Sequence, residues 1–180
     1  MRIIFVGGVH GVGKTTLCHH AAKLLGLDYF SSSKVISSEK AEAALAADKL
    51  VSDVMGNQSL LIQGIRKLYK NHNKTILLDG HFCLLGANHD FQEIPVDVFR
   101  ELNLQGIVVL HDAPLAIYQR WVDRDNNISQ DPVIIEKFQE LELRQAHLVA
   151  NNLNIPIRAL KALDKFKFTE AISEWIASSD

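Results

Sequence analysis

Residues Gly8, Val9, His10, Gly11, Val12, Gly13, Lys14 and Thr15 follow the pattern G-x-x-x-x-G-K-[ST], the Walker A or P-loop spacing. Glycine lets successive backbone N–H groups turn inward into a concave nest for an anion, and a helix starting near Lys14 adds the positive end of its dipole. The matching ligand is a polyphosphate. Lys14 supplies a point charge for the β- and γ-phosphates, the Thr15 hydroxyl is a hard oxygen suited to Mg²⁺, and Thr16 can donate to an α- or β-phosphate. The expected occupants are therefore a nucleotide polyphosphate and Mg²⁺. A glycine-rich turn that only redirects the chain is the plainer alternative. An apolar run before the loop and a helical pattern after it favour the nucleotide. The loop by itself names a ligand, not a reaction.

A second stretch, "TILLDGHFCLL" from Thr75 to Leu85, delivers Asp79 to the carboxyl end of an apolar strand. In a doubly wound sheet that is the edge where ligands bind. Asp79 can hold Mg²⁺ or orient an acceptor, and the plainer reading is a strand-ending Asp that caps a turn. His81 is placed either to hydrogen-bond an acceptor or to pack beneath it.

The elements that must position these groups alternate between β-rich runs and helical patterns. The runs are "RIIFVG" (2–7), "DYFSS" (28–32), "TILLDG" (75–80), "GIVVLHD" (106–112) and "IPIRAL" (155–160). Such alternation indicates an α/β fold, a mostly parallel sheet covered by helices on both faces. The first helix is expected from about Lys14 to Leu25, with Leu17, Ala21, Leu24 and Leu25 on one face and Gly26 as its C-cap. Residues 34–71 hold no strand and read as two helices broken near Gly56-Asn57, an insertion where an acceptor could bind. Later helices are expected over 114–124, 131–151 and 168–178, the last starting at Thr169 or just before it.

Composition bounds the rest. A chain of 180 residues with 47% hydrophobic and 22% charged residues, net charge −2 and pI near 6.4 fits one soluble globular domain and offers no basic nucleic-acid surface. Cys18 and Cys83 lack CxxC spacing, the histidines lack metal-ligand spacing, and no apolar segment reaches about 18 residues. The expectation is a cytoplasmic protein with no membrane span, a monomer or homodimer. The chain lacks the N-K-x-D guanine reader of regulatory GTPases, since "NHNK" at 71–74 has the wrong order, and it is short for a motor or transporter ATPase. Compact length favours a small-molecule kinase.

With "GGVHGVGKTTL", "LLDGHF" and "YQRWVDRDNN" in this order, the chain resembles the adenylate-kinase-like group of P-loop nucleoside and nucleotide kinases, closest in layout to the compact archaeal-type adenylate kinases and their ATP-binding relatives. The resemblance implies a single P-loop kinase domain over 1–180, a three-layer sandwich whose five-stranded parallel sheet has the order 2-3-1-4-5. It implies ATP, with Mg²⁺, as the phosphoryl donor, an acceptor site in the helical insertion at about 34–71 and a short lid at about 120–131. Arg120 and Arg124 match the lid arginines that embrace the transferred phosphate. Surface pairing with Asp123 and Asp125 is the plainer role for them, and Arg144 is a further candidate cation. The long-type pattern D-G-x-P-R is broken here, because Asp79-Gly80-His81-Phe82 brings no arginine.

Acceptor candidates lie in "FSSSKVISSEK" (30–40), where Ser31, Ser32 and Ser33 can contact a ligand or cap a helix. Lys34 and Arg66 are the nearest basic residues, and Gln58 is a possible base or sugar reader. Trp121, Trp175 and the "DKFKF" run at 164–168 are expected to pack, and residues 159–165 occupy the place where related kinases hold adenine. The expected function is transfer of the γ-phosphoryl group of Mg-ATP to a small acceptor, a nucleoside monophosphate or related metabolite. The alternative is an ATP-binding regulatory or accessory module with slow hydrolysis.

Overall fold

Every residue of strand β1 (Ile3–Gly7) is buried, and its side chains alternate between two cores. Ile4 and Val6 enter one core, Ile3 and Phe5 the other, as the two-residue period of a central strand requires. The computed structural model describes residues 2–45, 54–69, 75–86, 90–125 and 131–178. Around β1 lie β2 (Asp28–Ser31), β3 (Ile76–Asp79), β6 (Leu104–His111) and β7 (Ile157–Lys161), all parallel, in the order β2-β3-β1-β6-β7. Numbered among themselves, the five sheet strands run 2-3-1-4-5. A hairpin that the sequence reading missed, β4 (Cys83–Leu85) with antiparallel β5 (Phe91–Glu93), stands apart from this sheet.

Helix α1 (Lys14–Leu25) ends at Gly26, whose φ of 67° is left-handed, and Leu27 N–H returns to the Ala22 carbonyl. That is the expected helix with one correction. Leu17, Cys18, Ala21 and Ala22 are buried, whereas Leu24, at the edge of this face, is 66% exposed. α1 packs with α7 (Lys165–Ala177) on one face of the sheet. α2 (Ser32–Leu45), α3 (Val54–Tyr69) and α4 (Val96–Leu102) supply the opposite core, and α6 (Pro132–Leu153) contributes to both. α5 (Pro114–Asp125) lies beside α6 and sends Ile117 and Trp121 into the first core.

Three further expectations change. The predicted break at Gly56-Asn57 falls inside α3, which runs through both residues. Helix α7 begins before Thr169, because Asp164 caps it by accepting from Lys167 N–H at 3.0 Å. Thr169 instead donates back to the Lys165 carbonyl at 2.7 Å. Of the "DKFKF" aromatics, Phe168 is buried but Phe166 is exposed. Among the described residues no helix is long and apolar enough to cross a membrane.

Candidate active site

The strand register sets the site. Ser31 of β2 and Val6 of β1 both pair with Asp79 of β3, so three chain segments end side by side at the carboxyl edge of the sheet. The loop after β1 turns there through glycines at positive φ, Gly8 at 135°, Gly11 at 72° and Gly13 at 108°. A Cβ on Gly11 would collide with the Trp121 indole, so this glycine answers to both conformation and space.

Contacts from α5 hold the loop. Trp121 Nε1 donates to the His10 carbonyl at 2.6 Å, and Arg120 donates to the Gly11 carbonyl at 3.2 Å. Trp121 therefore positions the loop as well as packing, and the His10 carbonyl is one of the points held. The other arm of Arg120 pairs with Asp112, the residue that follows β6 (Leu104–His111). Gln139 fixes Asp112 in turn, accepting from its N–H at 2.9 Å and donating to its carbonyl at 3.0 Å. Arg124 belongs to the last turn of α5, and its side chain lies outside the described residues.

Lys14 is buried and donates to the carbonyls of Gly8, at 2.5 Å, and Val9, at 3.1 Å. Burial lowers its pKa from the ordinary value, against the opposing pull of Glu142 and Asp79. Gly13 gives α1 no side-chain cap, so the first turn at Lys14, Thr15 and Thr16 lines the cleft with uncapped amides. Val9 and Val12 are buried and contribute to the loop through backbone, with Val12 N–H donating to the Val9 carbonyl at 3.3 Å.

Asp79, only 4% exposed, accepts from Tyr29 OH at 2.5 Å and from Thr15 Oγ1 at 3.3 Å through the same oxygen. A carboxylate beside a threonine hydroxyl is the hard-oxygen chemistry Mg²⁺ takes, with phosphates and water completing its shell. Burial, with the Asp79 hydrogen bond adding, raises the pKa of the Tyr29 phenol. Burial likewise raises the thiols, Cys18 well above its ordinary value and Cys83 to about 12, so neither is a ready thiolate.

The residue the sequence reading missed is Glu142. It is 1% exposed, yet its carboxylate accepts from the N–H groups of Gly8 (3.1 Å), Phe82 (3.1 Å) and Cys83 (3.2 Å). His81 Nδ1 lies 3.2 Å from it. One side chain of α6 thus ties the phosphate loop to the turn after Asp79. A signal was present: Glu142 stands on the buried stripe of Ile135, Phe138, Ala146 and Val149, where helical spacing calls for an apolar residue.

A cleft of about 550 Å³ joins these groups. Its wall includes His10, Gly11, Gly13, Lys14, Thr15, Thr16, Asp79, His81 and Arg120, and beyond them Ser31, Ser32, Ser33 and Gln58. The other basic candidates do not reach it. Lys34 is exposed outside the wall, Arg66 pairs with Glu101 at 3.2 Å, and Arg144 pairs with Glu93 at 2.5 Å.

A sequence profile described as an AAA domain matches residues 7–138, from the end of β1 into α6. The chain belongs to this AAA domain family. The matched span carries the phosphate loop, Asp79 and Arg120 of the site, while Glu142 falls just beyond it. No curated protein sequence matches the chain. Among solved structures, a shikimate kinase from Acinetobacter baumannii in complex with shikimate is 18% identical, with TM-score 0.57, over 99% of this chain and 94% of that one. A gluconokinase from Sinorhizobium meliloti 1021 is 12% identical, with TM-score 0.54, over 98% of this chain and 96% of that one. At such identities the likeness is one of fold. It extends the P-loop kinase architecture over nearly the whole chain.

Proposed function

We propose that this protein is an ATP-dependent small-molecule kinase that transfers the γ-phosphoryl group of Mg-ATP to a small acceptor. The observation that carries this reading is the continuity of the cleft: Lys14, Thr15 and Asp79 share one cavity with Ser32 and Gln58 of α2 and α3. Donor and acceptor could meet there without water between them. The fold shared with a gluconokinase and a shikimate kinase supports it. In this reading residues 1–180 form one kinase-like domain, about 34–71 receives the acceptor, and about 120–131 closes as a lid. Residues 126–130 of that lid lie outside the described residues. A cytoplasmic setting also belongs to the reading, and it suits the free thiols Cys18 and Cys83.

Catalysis would be positional and electrostatic. The uncapped amides of α1 and Lys14 bind the polyphosphate, and Lys14 exchanges its carbonyl partners for phosphate oxygens. Thr15 and Asp79 would hold Mg²⁺, which neutralises charge on the phosphates. Arg120, already braced by Asp112, presents its guanidinium to the cleft, and Arg124 is the second lid arginine by resemblance. A nucleoside monophosphate as acceptor would need a further cation, and the described wall holds none besides Lys14 and Arg120.

The test is ADP release from Mg-ATP in the presence of nucleosides, nucleotides, sugars and small acids. Acceptor-stimulated release is expected from the intact protein, and a loss of about 100- to 1,000-fold from Lys14→Ala. Persistent ATP binding with no stimulation across the panel would instead favour a regulatory module with slow hydrolysis.

A further inference from the structure

We propose that the acceptor is an uncharged alcohol carrying a flat apolar body, and not a phosphorylated or carboxylated molecule; this rests on the kinase reading above. Past Lys14 and Arg120, the wall of the cleft is built from Ile36, Leu61, Leu84, Ile94, Val98 and Phe99. This chamber lies between α2, α3 and α4, and it takes up a face of a molecule rather than its charge. Two basic side chains of α3 are turned to carboxylates outside the chamber wall, Arg66 to Glu101 and Lys67 to both buried Glu39 and exposed Glu42. A phosphate or carboxylate placed in the chamber would lose water and meet no cation among the described residues.

The polar groups that do face it are neutral. Ser32 is buried, and its hydroxyl is one of the few buried side-chain oxygens with no hydrogen-bond partner among the described residues. It sits against Gly80, where an added Cβ would come within 2.8 Å of Ser32 Oγ, so the absence of a side chain at 80 leaves the hydroxyl its place. Gln58, 5% exposed, presents an amide that can both donate and accept. A buried hydroxyl and a buried amide on an apolar wall match the hydroxyl and ring-edge groups of a neutral cyclic alcohol. In the transfer, the alcohol oxygen bonds to the γ-phosphorus as the bond from that phosphorus to the β–γ bridging oxygen breaks. ADP keeps the electron pair, and the hydroxyl proton passes to solvent water.

The experiment uses the full chain, Mg-ATP and pairs of probes that differ in charge: adenosine with adenosine monophosphate, thymidine with thymidine monophosphate, and pyridoxine with pyridoxic acid. At least one neutral member is expected to accelerate ADP release and yield its phosphate monoester, at a rate about ten-fold or more above its charged partner. Transfer to the charged members alone, or to the nucleotides or small acids of the wider panel alone, overturns the acceptor class and leaves the kinase reading standing. Failure of every acceptor overturns both. A second variant separates ligand binding from structure. Ser32→Ala should raise KM for the neutral acceptor about five-fold, with KM for ATP and the thermal midpoint unchanged, because the hydroxyl has no partner among the described residues to lose. An unchanged acceptor KM in this variant overturns the role given to the chamber.

Discussion

At the β1 end of the cleft, Lys14, Asp79, Arg120 and Glu142 each hold protein partners, whereas at the α3–α4 end the wall is apolar and the Ser32 hydroxyl holds none among the described residues. The first end is a set of charges each tied to the phosphate loop or to the segments beside it. The second is a packed surface with two neutral hydrogen-bonding groups. A polyphosphate carries high charge of fixed geometry, so its end must be organised before it arrives. An acceptor recognised by shape needs walls that exclude water, and those walls are also the protein's core: Leu61, Val98 and Phe99 belong to the cluster under the sheet. Damage at the two ends should therefore differ in kind, polar at one and steric at the other.

The largest break in this comparison is expected at Glu142. Glu142→Ala leaves the amides of Gly8, Phe82 and Cys83 without their acceptor in a dry interior. Each orphaned buried donor costs about 1–3 kcal/mol, so the variant should lose about 3 kcal/mol or more in urea denaturation. Glu142→Gln keeps the shape and one acceptor oxygen and should lose less. Ser32→Ala at the other end should lose almost nothing. Equal losses at the two positions would dissolve the contrast.

The two ends also differ in how far the sequence discloses them. The phosphate loop, Lys14, Thr15 and Asp79 are legible because their geometry is local: consecutive residues make the loop, and an apolar run ends on the carboxylate. The five sheet strands and the start and stop of α1 are legible for the same reason, through period and cap. Glu142 is not, since its partners lie 134 and 60 residues away and only packing brings them together. Arg120 was legible as a cation but not as the partner of Asp112. The hairpin β4–β5 and helix α4 are too short, at 3, 3 and 7 residues, for periodicity to register. Leu84 of β4 and Val98 and Phe99 of α4 line the apolar end beside α2 and α3, so that end is legible through its two long helices and not through these short pieces.

Tyr29 offers a smaller test within the donor end. Its hydroxyl donates to the Asp79 oxygen that also receives Thr15, so Tyr29→Phe removes one bond and leaves the ring against His19, 4.6 Å away. A hydrogen bond to a carboxylate in this half-buried setting is worth about 1–2 kcal/mol. Denaturation should register that loss, with Mg-ATP affinity altered no more than a few fold, because Thr15 still holds the carboxylate. Loss of all transfer in Tyr29→Phe would make the tyrosine part of the chemistry and redraw the donor end.

The last effect is a slope, and it asks whether these charges offset the burial of Lys14. Burial lowers the pKa of its ammonium from the ordinary 10.5, with Glu142 and Asp79 pulling the other way. Between the lowered value and 10.5 the unfolded chain holds a proton that the folded protein lacks, so stability rises with pH across that window. Below the window the whole cost of the buried ammonium is present, and above it the cost is gone. Lys14→Met titrates nowhere in this range, so the unfolding free energy of the wild type minus that of the variant should climb as pH rises toward 10.5. Taking the difference largely cancels the alkaline titrations of Cys18, Cys83 and Tyr29, whose raised pKa values act in the opposite sense. A flat difference would mean that the two carboxylates compensate the lysine fully. A falling one would mean that they hold its proton more tightly than water does, and that the donor end stores attraction where burial had implied a penalty.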